Sequence, residues 1–314
     1  MTELEARKFA DIEAIRAPTL GGRLARWRTA LGNAWHELRK SRTASIGAVM
    51  LVLLFGACIA TPWITTYDPI KQNYRERLQP PSEKHLLGTD RMGRDIYSRL
   101  LWGGRRLVAI ALLAVTFGLS IGIPYGVLSG YFGGKVDTVA MRVVDGLLAF
   151  PGLVLYLLIV TLAREWKMEG IYNDMVLIFA LGFAFTPEVA RLSRSSVLVE
   201  KQKEYVEASR AIGDGSLAIA LRQILPNIVS PLIVNATVRL GYVILIVAAL
   251  SFLGLGTPPP TPDWGSDLAA ARDYMETAPL IAAFPGLAIC YTVLAFNLFG
   301  DGLRDILDPR LAER

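Results

Sequence analysis

Residues 107–134 read LVAIALLAVTFGLSIGIPYGVLSGYFGG, twenty-eight positions without one Asp, Glu, Lys or Arg. A helix needs roughly 20 mainly apolar residues to cross the hydrocarbon of a bilayer, and a core helix of a soluble protein usually keeps a polar face. The stretch therefore predicts a membrane span. Windows 43–67, 146–163, 240–262 and 277–300 are equally free of charge. Composition agrees: of 314 residues, 53% are hydrophobic and only 19% charged, against about 25% charged in soluble domains. Mean hydropathy is +0.39. The chain is expected to be an all-α integral membrane protein, not one or two soluble domains.

Six spans are expected, over about 45–66, 107–129, 139–162, 175–194, 228–252 and 279–299. Residues 1–44 form an N-terminal segment and 45–314 a transmembrane domain. The first apolar run starts too late for a signal peptide, so it is expected to stay as an anchor. Over 22–40, Leu24, Trp27, Leu31 and Leu38 recur at helical spacing beside Arg23, Arg26, Arg28, Arg39 and Lys40. That pattern suits a helix lying on the membrane surface, with a solvated basic tail as the alternative. Six spans put both termini on one side. Basic residues in the N-terminal segment, in 195–227 and at Arg304, Arg310 and Arg314 assign that side to the cytoplasm. The 67–105 loop, with eight Lys or Arg, runs against the rule. Within the second span Gly118, Gly122, Gly126 and Gly130 recur every fourth residue, one face where another helix can approach closely.

Several chemistries are excluded. Net charge is +5, but the basic residues lie between apolar windows with no single basic face, so nucleic acid is not an expected partner. Cys58 and Cys290 both fall inside apolar windows, and His36 and His85 stand apart, so neither a disulfide framework nor a metal site is expected. Ser129 through Val136 resembles a phosphate loop only superficially, lacking the first Gly and the Ser or Thr after Lys135. No nucleophile–base pattern occurs, so no catalytic residue is expected and any energy source must lie on another chain.

The polar segment 195–227 is the informative one. Glu204 through Gly213 reads as a helix closed by a glycine, and Asp214-Gly215-Ser216 as a turn. Ser216 is expected to cap a second helix ending at Leu225, before Pro226. Ala208, Ser209, Ala211 and Gly213 are small enough for a partner surface to come close, although a plain re-entry loop fits the same physics.

Glu207-Ala208-Ser209, then Gly213, then Ile224-Leu225-Pro226-Asn227, resembles the EAA signature of bacterial ABC importer permeases. His85-Leu86-Leu87-Gly88-Thr89-Asp90, Gly93-Arg94-Asp95 and Ser98-Arg99-Leu100 with Gly103 are similar to the segment before the second span in the dipeptide/oligopeptide/nickel permease family. So are Gly130 to Gly134 with Asp137, Met141-Arg142 with Asp145, Ser251 to Gly256, Pro259 through Trp264-Gly265, and Asn297 with Gly300 to Asp305 and Leu307 to Arg310. The resemblance covers about 35–310 and is nearest to the second, C-type subunit. Ser209 departs from the usual second Ala, Leu86 from Pro, and Gln223 from a common His.

The resemblance implies a type I ABC importer permease fold in a bacterial cytoplasmic (inner) membrane. It implies a second homologous permease subunit, two ATPase subunits carrying ATP and Mg, and an extracytoplasmic solute-binding protein. It makes Glu207, Ala208, Ser209, Gly213, Leu225 and Pro226 the ATPase-coupling residues, and loops 67–105 and 254–278 the outer docking and gating surfaces. The chain itself would hold no cofactor. Di- or oligopeptides are the expected solute, with nickel, opines or oligosaccharides as alternatives within the family. A secondary transporter or channel, and an intramembrane enzyme, are the rivals outside it.

Charges inside spans are functional candidates. Arg142 with Asp145, and Glu188 with Arg191, are spaced to pair along one helix face. Arg239 lies near mid-membrane, either lining a translocation pathway or paired structurally, with a carboxylate of a partner subunit as the candidate.

Overall fold

A computed structural model describes residues 41–165 and 171–307; the surface helix expected over 22–40 lies outside them. Nine helices make up the described chain: α1 (Arg42–Ile64), α2 (Ile96–Phe132), α3 (Gly134–Leu148), α4 (Gly152–Glu165), α5 (Ile171–Glu200), α6 (Glu204–Ala211), α7 (Ser216–Phe252), α8 (Trp264–Ala271) and α9 (Leu280–Leu307). Five of them, α1, α2, α5, α7 and α9, have long apolar stretches sufficient to span a membrane. No strand is assigned among the described residues, only an isolated bridge between Thr89 and Asp95. The fold is an all-α membrane bundle.

The glycine stripe sets its centre. A Cβ on Gly118 would meet the carbonyl oxygen of Gly182 and the Phe185 ring, on Gly122 Val189, on Gly126 Ser193, and on Gly130 the Arg194 carbonyl and Val197. Four successive turns of α2 thus lie almost backbone to backbone on α5, where only glycine leaves room. Around this seam Ala111, Ala114, Leu181, Ile244, Val247 and Phe296 form the main apolar core. On α1, by contrast, Val49, Val52, Leu53, Ile59 and Trp63 stay exposed, as expected of a helix meeting lipid.

Three boundaries differ from the sequence expectation. The expected third span is broken at Phe150-Pro151 into α3 and α4. Proline disfavours helical backbone in the residue before it, and neither 15 nor 14 residues cross the hydrocarbon alone. α2 begins eleven residues before 107, because Asp95 caps it, accepting from the Ser98 amide at 2.8 Å, and because its early arginines have partners. The helix expected to stop before Pro226 instead runs on to Phe252. A π turn over Ile219–Ile224 precedes the proline and widens the backbone where its missing N–H and its ring would break a regular α-helix.

Candidate functional site

The projection between α5 and α7 is built from local rules. After Glu200, α6 runs to Ala211 and closes on Gly213, whose φ is +87°. The Asp214 amide donates to the Ser209 carbonyl at 3.1 Å and the Gly213 amide to that of Arg210 at 3.1 Å, the paired bonds of a glycine-terminated helix. The expected glycine cap is therefore present. The expected Ser216 cap is not: Gly215 occupies that position, its carbonyl accepting from the Ile219 amide at 3.0 Å, and Ser216 is already helical.

Expected coupling residues divide between two faces. Glu207, Ala208, Gly213 and Pro226 are exposed. Ser209 is buried, and Leu225 is half-buried against a second small core of Val127, Val197, Val206, Ile219, Ile224 and Ile228. Ser209 therefore faces inward, where a small polar residue donates a hydrogen bond rather than easing the approach of a partner. Local spacing did not single out Ile212, Leu217 and Leu221, all exposed, with Ile212 at 79% relative exposure. Exposed aliphatic side chains at a helix tip are the signal that could have marked them.

Polar contacts brace the same region. Tyr205 donates to the Glu200 carboxylate at 2.8 Å, and Lys203 pairs with it at 2.8 Å. Burial, and next the Glu200 hydrogen bond, push the Tyr205 hydroxyl above its ordinary value, while Glu200 raises that of Lys203. At the α2–α3 turn, hydrogen bonding from Arg194 holds the Asp137 carboxyl below the usual aspartate range, opposed by burial and helped by Ser129.

At the other end of the bundle, residues 67–105 form a folded cap rather than an open loop. Asp90 accepts from the amides of Met92 (2.8 Å) and Arg94 (2.9 Å) and pairs with the Arg94 side chain at 2.6 Å. His85 is buried between Asp95, at 2.9 Å, and the Tyr67 ring. Arg99 reaches Asp267 of α8 at 2.5 Å and donates to the carbonyls of Pro69 and Pro260. Trp264 fills the space over Gly103 and Gly104 and donates to the Leu100 carbonyl at 2.7 Å. Asp263 caps α8 and also accepts from Ser251 at 3.0 Å; burial pushes its carboxyl above the ordinary value. The basic residues that offended the charge rule are thus partly neutralised within the cap.

The charges of the expected spans pair across helices, not along them. Arg239 pairs with Glu188 of α5 in the same chain and stacks over Phe185 and Tyr242, each ring centroid 5.1 Å away. Arg191 pairs with Asp145 at 2.6 Å, in place of the expected Arg142–Asp145 and Glu188–Arg191 pairs. An ion pair between helices offsets two desolvation costs and joins two elements at once. Nearby, an open cleft of about 620 Å³ lies between α5, α7 and α9, lined by Leu192, Asn235, Val238, Asp301 and Arg304 among others. Arg239 turns instead to Glu188. Among the described residues no group of three or more His, Cys, Asp or Glu side chains gathers to hold a metal ion.

The described residues thus form a multi-pass helical bundle with a short helix between two spans and a folded cap at the opposite end. The chain belongs to the family described as binding-protein-dependent transport system inner membrane component, which matches residues 122–313. A second family, the N-terminal TM domain of oligopeptide transport permease C, matches 29–81. A putative peptide transport system permease protein of Brucella suis is 42% identical, over 88% of this chain and 90% of its own length. A di/tripeptide transport system permease protein of Pseudomonas aeruginosa is 41% identical, over 88% and 91%. A glutathione transport system permease protein of Escherichia coli is 43% identical, over 90% and 92%. Among solved structures, an inward-facing form of a methionine ABC transporter aligns with TM-score 0.54 at 20% identity, covering 67% of this chain and 97% of that one, which shows the fold alone. The chain is a multi-pass inner-membrane permease subunit of a peptide-type ABC importer.

Proposed function

We propose that this subunit imports di- or oligopeptides as half of a heterodimeric permease pair, driven by two ATPase subunits and supplied by an extracytoplasmic solute-binding protein. The named peptide and glutathione relatives support the solute class. The observation that carries the mechanism is the exposed face of α6, with Glu207, Ala208, Gly213 and Ile212 projecting between two long apolar helices. In this reading α6 is the coupling helix, and ATPase closure displaces it to open the pair outward. The helices α3 and α4 together make the sixth crossing, both termini lie in the cytoplasm, and residues 67–105 and 254–278 face the binding protein. Of the remaining coupling candidates, Pro226 shares the exposed side, while Ser209 and Leu225 act from behind it.

Arg239 belongs to the same reading as a pathway residue. Its pair with Glu188 leaves the side chains 22% and 41% exposed in the isolated chain, and charges at mid-helix do not face lipid. The open side of the pair therefore turns toward the partner subunit or the aqueous path. The test of the whole reading is reconstitution of the four-subunit complex with binding protein. Solute-stimulated ATP hydrolysis that requires this chain supports it, and stimulation unaltered by both Glu207→Arg and Gly213→Pro removes α6 as the coupling element.

A further inference from the structure

The inward side of α6 carries a hydrogen-bonded chain that the coupling assignment leaves unused. Ser209 Oγ donates to Gln223 Oε1 at 2.6 Å, and Gln223 Nε2 donates to Asp214 Oδ2 at 2.9 Å. One residue of α7 thus holds the last turn of α6 with its oxygen and the following turn with its nitrogen. Four residues on, and so on the same helix face, Asn227 Nδ2 donates to the Gln223 carbonyl at 2.8 Å and to the Tyr205 hydroxyl at 3.1 Å. Tyr205 in turn donates to Glu200, the last residue of α5. The chain runs unbroken from the end of one long helix, across α6, to the start of the next. Beneath it Val206, fully buried, fixes α6 on the small core formed with Ile219, Ile224 and Ile228.

We propose that Gln223, with Asn227 and Tyr205, is the strut that makes α6 and α7 move as one body, so that displacement of α6 reaches the membrane helix. The proposal rests on the reading of α6 as the ATPase-docking helix. Its physical need is plain. An 8-residue helix is not stable alone, and it joins α7 through a turn that includes Gly213 and Gly215, at neither of which a Cβ would meet another atom within 4 Å. A push on α6 would be absorbed by that turn unless side chains bridged it. The π turn at Ile219–Ile224 contains Gln223, and such turns recur at functional positions in helices.

The test uses the reconstituted four-subunit transporter with binding protein, and reads solute taken up per ATP hydrolysed. Gln223→Leu keeps volume and removes both bonds, so uptake per ATP should fall roughly five- to tenfold, the shift that two lost hydrogen bonds allow. Gln223→His should stay within about twofold, because one ring nitrogen of neutral imidazole accepts from Ser209 while the other donates to Asp214. Tyr205→Phe loses one hydroxyl and no packing, and should give an intermediate loss. Glu207→Arg, on the exposed face, reports on docking itself. Wild-type behaviour of both Glu207→Arg and Gly213→Pro overturns the docking reading and the strut with it. Loss of coupling in Glu207→Arg beside wild-type ratios in Gln223→Leu and Tyr205→Phe overturns the strut alone. Should Gln223→Leu fail to assemble, Tyr205→Phe decides, an unchanged ratio counting against the proposal.

Discussion

Replacing Gly122 is the sharpest test of the α2–α5 seam. A Cβ there would stand 2.7 Å from the Val189 Cβ and 2.8 Å from the Thr186 carbonyl oxygen, where ordinary contact begins at 3.4 Å. The carbonyl belongs to helix backbone, so relief requires α5 to retreat by about 0.7 Å along this turn, loosening the neighbouring glycine contacts as well. Overpacking of this kind costs about 1–3 kcal/mol for Gly122→Ala, against an intrinsic gain of about 0.5–1 kcal/mol from placing alanine in a helix. The net loss of roughly 0–2.5 kcal/mol corresponds to a midpoint up to about 10 °C lower, and the difference from an unhindered glycine-to-alanine change is the full cost of about 1–3 kcal/mol. Gly122→Leu, whose outer carbons run into Val189, should leave little folded complex. Heating the detergent-purified complex at one fixed scan rate and measuring the surviving monodisperse fraction reads both. Gly286 of α9, with nothing within 4 Å, is the control, and Gly286→Ala should be neutral or slightly stabilising. A Gly122→Ala midpoint equal to that control would refute the close-approach reasoning.

In the 67–105 cap, Arg99→Met leaves Asp267 buried without its cation, a loss of about 3–5 kcal/mol locally, and protease cleavage within 67–95 should accelerate in that variant. Arg239→Gln should slow uptake of peptides with a free carboxylate more than amidated ones if the pair opens to the pathway; equal slowing with lost thermal stability assigns it a structural role. The Asp137 carboxyl is depressed in the folded chain, so the unfolded chain takes up the proton first. Its contribution to stability is whole above the ordinary aspartate value and drains as pH falls through the folded value, and Asp137→Asn should flatten that acid limb of thermal stability measured against pH.

The bundle was legible because apolar windows and glycine spacing are local. Charge-free runs locate four of the five long spans, α1, α2, α7 and α9, while α5 carries Glu188, Arg191 and Arg194; the fourfold glycine repeat locates the seam, and Gly213 ends α6 where its φ is positive. Contacts set by tertiary approach were not legible. Arg99 and Asp267 are 168 residues apart, and nothing in either neighbourhood names the other. Arg239 found its carboxylate on α5 of its own chain rather than on a partner, and Arg191 chose Asp145 across helices over Glu188 three residues away. Pro226 looked like a stop and is not one, since the π turn before it absorbs the clash. Ser209 looked like a spacer because small residues suit both docking and inward hydrogen bonding; only its burial separates the two.

The proposed path from α6 to the 67–105 cap has a physical basis in one helix. α7 spans 37 residues, about 55 Å at 1.5 Å per residue, longer than the roughly 30 Å hydrocarbon. Its lower end is fastened to α6 through Gln223 and Asn227, its middle to α5 through Arg239, and its upper end to α8 through Ser251 and Asp263. Gly265 of α8 comes so close to Ala248 and Ser251 that no Cβ fits between them. Trp264 and Arg99 then tie α8 to α2, whose own glycine seam is held to α5. A helix bonded at three heights transmits displacement only if it does not bend between them. Pro231 and the π turn are its identifiable bend points, and both lie in its lower half. In the proposed strut Gln223 lies within the π turn, so motion that would otherwise be spent in bending there would be carried upward, past Arg239, toward the cap.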